Sequence, residues 1–326
     1  MNYEQFLQFI RDPSWDSPFF KRLPKNDSGD RRSNQAGFVV VKALSPYFPT
    51  LSAAAADFRH PTVDRRLRVD MLLDGQPLGA RVVRYQIQTW GGTRQEARIT
   101  DGTQALLNQS HTGDLLLMQR SREQLDRYRF FMVRQTSPLF SRVEQLTGGR
   151  PWGAVFSDAP PITQKELSIA REEMLIEAKQ PFVPIRENVV RQATSRRVIA
   201  RDTAFRETVI HQYRKCCCVS GISLLTPDGF LEVEAAHVIP LNRGGADEPR
   251  NGLSLTGTLH WAFDRGLFGI NSNRRVVIPR RVLAIPENRF LQQFQDVEIS
   301  QARDAALAVA PEALTWHLEK IFALWQ

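Results

Sequence analysis

The 326-residue chain contains only three cysteines, and they are consecutive: Cys216, Cys217 and Cys218. Adjacent cysteines make poor disulfide partners and no distant thiol exists to pair with them, so no disulfide framework is expected. No structural zinc is expected either, because a second Cys pair is missing. Reduced thiols in a packing role remain. Long apolar runs are also missing: no stretch approaches the roughly 18 residues of a membrane span. The opening Met1-Asn2-Tyr3-Glu4 lacks the basic-then-apolar signature of a secretory signal. A cytoplasmic protein with no membrane partner is the expectation. No internal repeat or low-complexity tract occurs. Histidine is scarce, six in all, which makes the position of each one informative.

Positive charge is plentiful. Forty-three Lys and Arg stand against 35 Asp and Glu, a formal charge of +8. Such a balance suits a polyanion, because cationic side chains replace the counterions condensed on phosphate. The length suits two domains of roughly 100–200 residues each. We place a recognition domain at 1–155, a helical linker at 156–195 and a second domain at 196–326, with an α+β fold overall.

Residues 1–155 read mostly as short strands rich in branched and aromatic residues, each bounded by Gly, Pro, Asn, Asp or Ser. They are Ala36–Lys42, Arg66–Leu73, Ala80–Ile87, Ala97–Thr100, Asp114–Gln119 and Tyr128–Arg134. Short helices fit Tyr3–Arg11 and Leu51–Ala56. So many short strands favour a barrel or sandwich. Ser157-Asp158-Ala159-Pro160-Pro161 then breaks regular structure, and Thr163-Gln164-Lys165-Glu166 fits a capping box opening a helix that runs to about Lys179. From Asn188 to Lys215 the pattern is helical and arginine-rich, which suits a solvated face or phosphate contact equally.

The segment Leu231–Ile270 carries the chemistry. It reads Glu234-Ala-Ala-His237-Val-Ile-Pro240, a Gly244-Gly245 loop, Asn251-Gly-Leu-Ser-Leu255, then Leu259-His260-Trp261-Ala-Phe263-Asp264. Strand-like spacing, a glycine turn, a second short strand and a helical run make a ββα unit. A neutral imidazole takes a proton from water at working pH, and a divalent cation stabilises charge on a phosphate. In such a unit His237 is the candidate base, Asn251 the loop-fixing residue and His260 a metal ligand. Asp264, four residues on, shares its helix face. The competing reading treats each histidine as an unrelated structural residue, and it is the assignment for His60, His111, His211 and His317.

At these residues the chain resembles the HNH (ββα-metal) endonucleases, in the subgroup reading Glu-Ala-Ala-His-x-x-Pro, Asn-Gly-Leu-x-Leu and His-x-x-Phe-Asp-x-Gly. The resemblance extends upstream through Arg201-Asp202, Phe205-Arg206, Tyr213 and Cys217-Cys218-Val219-Ser220-Gly221. It implies one divalent metal ion, Mg²⁺ or alternatively Mn²⁺. Many relatives carry a metal-binding Asp or His just before the base, where this chain has Ala236, so Glu234 on the same strand face is the candidate substitute.

A second resemblance lies upstream. Phe20-Lys-Arg-Leu-Pro-Lys25-Asn26-Asp-Ser-Gly29, Asn34-Gln35-Ala-Gly-Phe38, Trp90-Gly-Gly-Thr-Arg94-Gln-Glu96-Ala-Arg98 and Thr112-Gly-Asp-Leu-Leu116 resemble the B3-like DNA-binding domain of EcoRII N-terminal type. It implies a β pseudobarrel that grips double-stranded DNA with two arms. Lys25, Asn26, Arg31, Arg32 and Gln35 form a basic loop suited to phosphates and base edges. Arg94, Glu96 and Arg98 alternate along one strand face, and Arg can pair with guanine while Glu accepts from cytosine. Trp90 or Tyr85 can line a base pocket or simply pack.

Together these readings describe a restriction endonuclease. One such site cuts one strand, so double-strand cleavage implies a homodimer or two binding events. The alternatives are a modification-dependent nuclease and a DNA-binding regulator with a decayed site.

Overall fold

The computed structural model describes the chain except for residues 33–35, 52–61, 91–93, 186–195, 228–230 and 326, and except for the side chains of 88–90, 94 and 95. It divides into two compact units, Met1–Lys165 and Glu166–Gln326.

The first unit is built on one sheet of eight strands: β1 Phe19–Arg22, β2 Phe38–Val40, β3 Thr62–Leu73, β4 Gln76–Trp90, β5 Arg94–Thr100, β6 Leu115–Arg120, β7 Arg127–Val133 and β8 Trp152–Ala154. Their order is β2-β5-β4-β3-β7-β6-β1-β8, antiparallel throughout except for the parallel β3–β7 pair. The sheet curls into a half-barrel, which is the B3-like pseudobarrel. Helices α1 Tyr3–Ile10, α2 Gln104–Leu107 and α3 Phe140–Thr147 complete the unit.

Side chains alternate across a strand, and the two faces here serve two cores. Leu67, Val69, Met71, Tyr128, Phe130, Met132, Leu116 and Met118 point into one core. Leu115, Leu117, Phe131 and Val133 point the other way, where Phe6 and Ile10 of α1 and Val143 of α3 cover them. Strands β6 and β7 are therefore buried on both faces, and each carries a four-residue apolar run, Leu115–Met118 and Phe130–Val133. Two strands escape the pattern reading. In β1, Phe19 and Phe20 serve opposite cores while Lys21 is buried on Asp27 and the Val39 carbonyl. β8 is three residues long and contains a glycine. The helix read at Leu51–Ala56 falls mostly on residues outside those described. Tyr85 packs: its ring is 2 % exposed and stacks on Phe48.

The second unit contains α4 Gln164–Glu177 (whose first two residues lie in the first unit), α5 Arg196–Gln212, the hairpin β9 Glu234–His237 and β10 Gly252–Leu255, α6 Gly257–Asp264, the short pair β11 Gly269–Ile270 and β12 Val276–Val277, α7 Arg280–Leu283 and α8 Pro311–Lys320. The arginines of α5 are largely spent on carboxylates. Arg196 pairs with Glu166, Arg197 with Glu173 and Arg201 with Glu177, lashing α5 to α4. Cys217 and Cys218 are buried, and the Cys218 amide donates to Ser254 O of β10 at 2.7 Å. Burial raises the Cys218 thiol well above its ordinary pKa, so it is a packing residue rather than a nucleophile. Near the C terminus Ile321, Phe322 and Phe294 are buried, whereas Phe290 is 50 % exposed.

Candidate active site

The ββα unit is assembled by local rules. β9 and β10 pair antiparallel in the register His237↔Gly252 through Glu234↔Leu255. Glycine is required at two points nearby. Gly244 adopts φ +81°, and a Cβ on Gly245 would lie 2.0 Å from the Ile239 carbonyl oxygen. Thr256 then caps α6 by accepting from the Leu259 amide at 3.4 Å. Glu232 accepts from the Gly257 amide at 2.8 Å. Leu259, Ala262 and Phe263 are buried, which turns His260 and Asp264 outward.

His237 lies at the end of β9 with 15 % of its side chain exposed. Its ring is parallel to Phe205 of α5, with centroids 3.8 Å apart and planes within 6°. Its Nε2 is 3.2 Å from Asp247 Oδ1. Asn251 is wholly buried. Its Oδ1 accepts from the Ile239 amide at 2.9 Å, and its Nδ2 donates to Ile239 O at 2.9 Å and Ala246 O at 2.8 Å. The Asn251 backbone carbonyl accepts from the Val238 amide at 2.9 Å. One asparagine thus joins the residues just after His237 to the far side of the glycine loop.

His260 stands between two carboxylates. Its Nδ1 is 2.6 Å from Glu234 Oε2, and its Nε2 is 3.5 Å from Asp264 Oδ2. Burial opposes charge on this ring, but the Glu234 hydrogen bond and the charges of Asp264 and Glu234 outweigh it, so its pKa is raised. The same hydrogen bond lowers the pKa of Glu234. Burial raises that of Asp264 against the pull of His260, Arg265 and, more weakly, His237. The last influence places His237 within electrostatic reach of the His260–Asp264 pair.

Glu234 therefore holds the opposite ring nitrogen from the one facing Asp264. Among the described residues no group of three His, Cys, Asp or Glu side chains is arranged to hold a metal ion. The donors that fit one are His260 Nε2 and Asp264 Oδ2, an imidazole nitrogen and a carboxylate oxygen on one helix face. Two protein donors suit a hard divalent ion that keeps several waters and takes phosphate oxygens as further ligands.

In the first unit Lys25 and Asn26 are exposed on a tight turn, Arg32 is exposed and Arg31 is half-buried. Beneath them Asp27 is buried against Lys21, and Asp30 accepts from the Thr112 amide at 2.7 Å and pairs with His111 at 2.9 Å. These contacts hold the basic loop to the domain. Glu96 is exposed, whereas Arg98 is 5 % exposed and donates to Glu96 and to the Ala36 carbonyl. Arg98 is thus a supporting residue beneath the face, not a presented one. Trp90 and Arg94 meet at the end of the β4–β5 register, and their side chains, like Gln35, lie outside what is described. Sequence reasoning missed Asp247. Its signal was the Gly-Gly-x-Asp spacing that brings the loop back under His237.

Residues 217–271 match the HNH endonuclease family. The chain carries an HNH endonuclease domain. Residues 15–136 match the family described as restriction endonuclease EcoRII, N-terminal. The HNH domain lies wholly in the second unit and the EcoRII-type domain wholly in the first. HNH nucleases generally use a divalent metal ion. No curated protein matches the chain. Among solved structures, a "Modification dependent TagI restriction endonuclease" is 21 % identical over 42 % of this chain and 40 % of its own length, with a TM-score of 0.28. The "N-terminal domain of Helicobacter pylori LlaJI.R1" is 10 % identical over 43 % of this chain and 98 % of its own length, with a TM-score of 0.29. The chain thus corresponds to less than half the length of the TagI enzyme. Among the described residues no helix is long and apolar enough to cross a membrane.

Proposed function

We propose that the protein is a restriction-type endonuclease that binds double-stranded DNA through the EcoRII-type domain and hydrolyses phosphodiester bonds at the HNH site. The observation that carries this reading is the single ββα unit in which His237 ends one strand and His260 with Asp264 projects from the helix that follows. His237 accepts the proton of the attacking water. Asn251 holds the loop that keeps the histidine aimed, through its three side-chain bonds to the backbone. His260 and Asp264 hold one divalent ion, Mg²⁺ by the hardness of the expected oxygen-rich shell, and Glu234 orients His260 from its other nitrogen. When bound, that ion stabilises the charge on the phosphate and leaving oxygen. Lys25, Asn26, Arg31 and Arg32 contact the DNA. The recognition domain spans 1–155, with 156–195 leading into the nuclease domain at 196–326, and two copies acting together give double-strand cleavage.

The test is nicking and linearisation of plasmid DNA, base-modified and unmodified, with Mg²⁺ or Mn²⁺, comparing wild type with His237→Ala. Metal-dependent cutting abolished in the variant is the expected result. Tight binding of DNA without cleavage under any divalent ion overturns it in favour of a binding protein.

A further inference from the structure

The buried carboxylate of Asp247 has no place in the scheme above, yet it lies on the edge of the base. It is 4 % exposed, with Oδ1 3.2 Å from His237 Nε2. A carboxylate in such a place is costly unless cations and donors face it. Arg201 of α5 meets that need. Its Nε lies 3.6 Å from Asp247 Oδ2, and its Nε and Nη2 donate to the Asp247 backbone carbonyl at 3.2 and 2.9 Å. Arg201 is itself fixed by two bonds to Glu177 of α4, at 2.9 and 2.6 Å. The loop is pinned from a second side, where the Ala246 amide donates to Pro184 O at 3.2 Å and Gly245 bridges Ile185. Glu177, Arg201 and Asp247 therefore form a chain of charge-assisted contacts ending on the imidazole.

We infer that Asp247 is the positioning residue of the catalytic base, selecting the tautomer of His237 and stabilising its protonated form. This rests on His237 being that base. With the Nε2 proton directed at the carboxylate, the lone pair of the neutral ring is on Nδ1. Phe205 fixes the ring plane and Asp247 fixes its rotation. In the reaction one water proton passes to Nδ1, the water oxygen bonds to phosphorus, and the bond from phosphorus to the leaving oxygen breaks. The resulting imidazolium keeps its Nε2 proton beside Asp247, whose negative charge favours that state. Arg201 acts at one remove by holding the carboxylate in place.

The experiment compares wild type, Asp247→Asn, Asp247→Ala and His237→Ala in single-turnover cleavage of a duplex substrate across pH, with DNA affinity measured in EDTA. Asp247→Asn keeps shape and removes charge, so it decides the matter where the alanine variant folds poorly. The expected result is a loss of at least about tenfold in the maximal rate with DNA affinity unchanged. Nitrogen-15 NMR of the His237 ring also moves from the Nε2–H toward the Nδ1–H form, because the asparagine turns its oxygen to Arg201 and its NH₂ to the ring. Asp247→Asn cutting within twofold of wild type, or losing rate with the His237 tautomer unmoved, overturns the inference. A fully active His237→Ala overturns instead the reading of His237 as base, so the two failures are distinct.

Discussion

Asn251→Asp leaves the side chain's shape almost unchanged and replaces one NH₂ group by oxygen. In the wild type that NH₂ donates to Ile239 O at 2.9 Å and Ala246 O at 2.8 Å, in a residue with no exposed surface. An ionised aspartate would aim a negative oxygen at two carbonyl oxygens in a dry site, so the variant folds protonated. Holding a carboxyl protonated at pH 7.5, roughly 3.6 units above its ordinary value, costs about 5 kcal/mol at 1.36 kcal/mol per unit. One of the two donated bonds is lost as well, for about 1 kcal/mol more. Asn251→Ala leaves the Ile239 amide and two carbonyls without this partner, at about 3 kcal/mol once non-additivity is allowed for. The near-isosteric change is thus expected to be the more damaging one at pH 7.5. The sign follows from linkage. The folded pKa is raised, so the folded state holds the proton more tightly and the penalty shrinks as pH falls toward the unfolded value near 4. At pH 5 the order of the two variants reverses. Urea unfolding of the C-terminal unit, with the variants compared at each pH, reads this directly. An aspartate variant within 1 kcal/mol of wild type at pH 7.5, or equal losses at both pH values, would refute the reasoning.

Three further predictions test other parts of the molecule. Burial holds the His317 pKa down to about 4, against a hydrogen bond at 2.9 Å to the Phe263 carbonyl. Its folded pKa is depressed, so the unfolded chain binds the extra proton, and about 3 kcal/mol of stability drains away as pH falls from 6.5 to 4. His317→Phe should flatten that slope in acid-denaturation curves, and an unchanged slope rejects the assignment. On the basic loop, the hydrogen bond to Asp30 raises the His111 pKa, while the Thr112 amide, then His111 and the Thr112 hydroxyl, hold Asp30 at about 2. The contact is complete from about pH 4 to 6.5 and weakens as pH climbs through the raised His111 value. In a histidine NMR titration, Asp30→Asn should return His111 toward its ordinary pKa, and a value that stays raised counts against the tether. Gly245→Ala drives a Cβ against the Ile239 carbonyl and should abolish cleavage. Gly221→Ala, at φ +69° with nothing within 4 Å, should cost only about 1 kcal/mol and leave cutting intact. Equal effects of the two changes in a plasmid assay would show that the loop yields freely.

The half-barrel and the ββα unit were legible for different reasons. Strands β3 and β4 announce themselves by alternation, and β6 and β7 by the short apolar runs Leu115–Met118 and Phe130–Val133, since each of those has two cores to fill. The ββα unit was legible because turn glycines, a capping threonine and polar residues occur in a fixed order within about forty residues of chain. β1 was hidden because a buried lysine breaks its pattern, and the ion partner that permits this, Asp27, becomes visible only once the loop is folded back. Arg98 failed in the opposite direction. Strand alternation assigns it the same face as Glu96, but only the fold shows its guanidinium tucked under Ala36.

The site shows the same division between local and long-range order. His260 and Asp264 are four apart on one helix, and His237 to Asn251 is a single hairpin, so sequence spacing alone relates them. The contacts that tune them come from farther away: Glu234 is 26 residues from His260, Phe205 comes from α5, and Glu177 reaches the loop through Arg201. Spacing can nominate a base, but it cannot say which of its nitrogens is basic, because that depends on the carboxylate at its other edge. A carboxylate serves in that position only when a cation such as Arg201 offsets its burial, and such a cation can come from any element that packs against the hairpin. The chemistry of the motif is therefore written in the hairpin and its helix, while the cation that lets Asp247 stay buried beside the base is written in a helix packed against them.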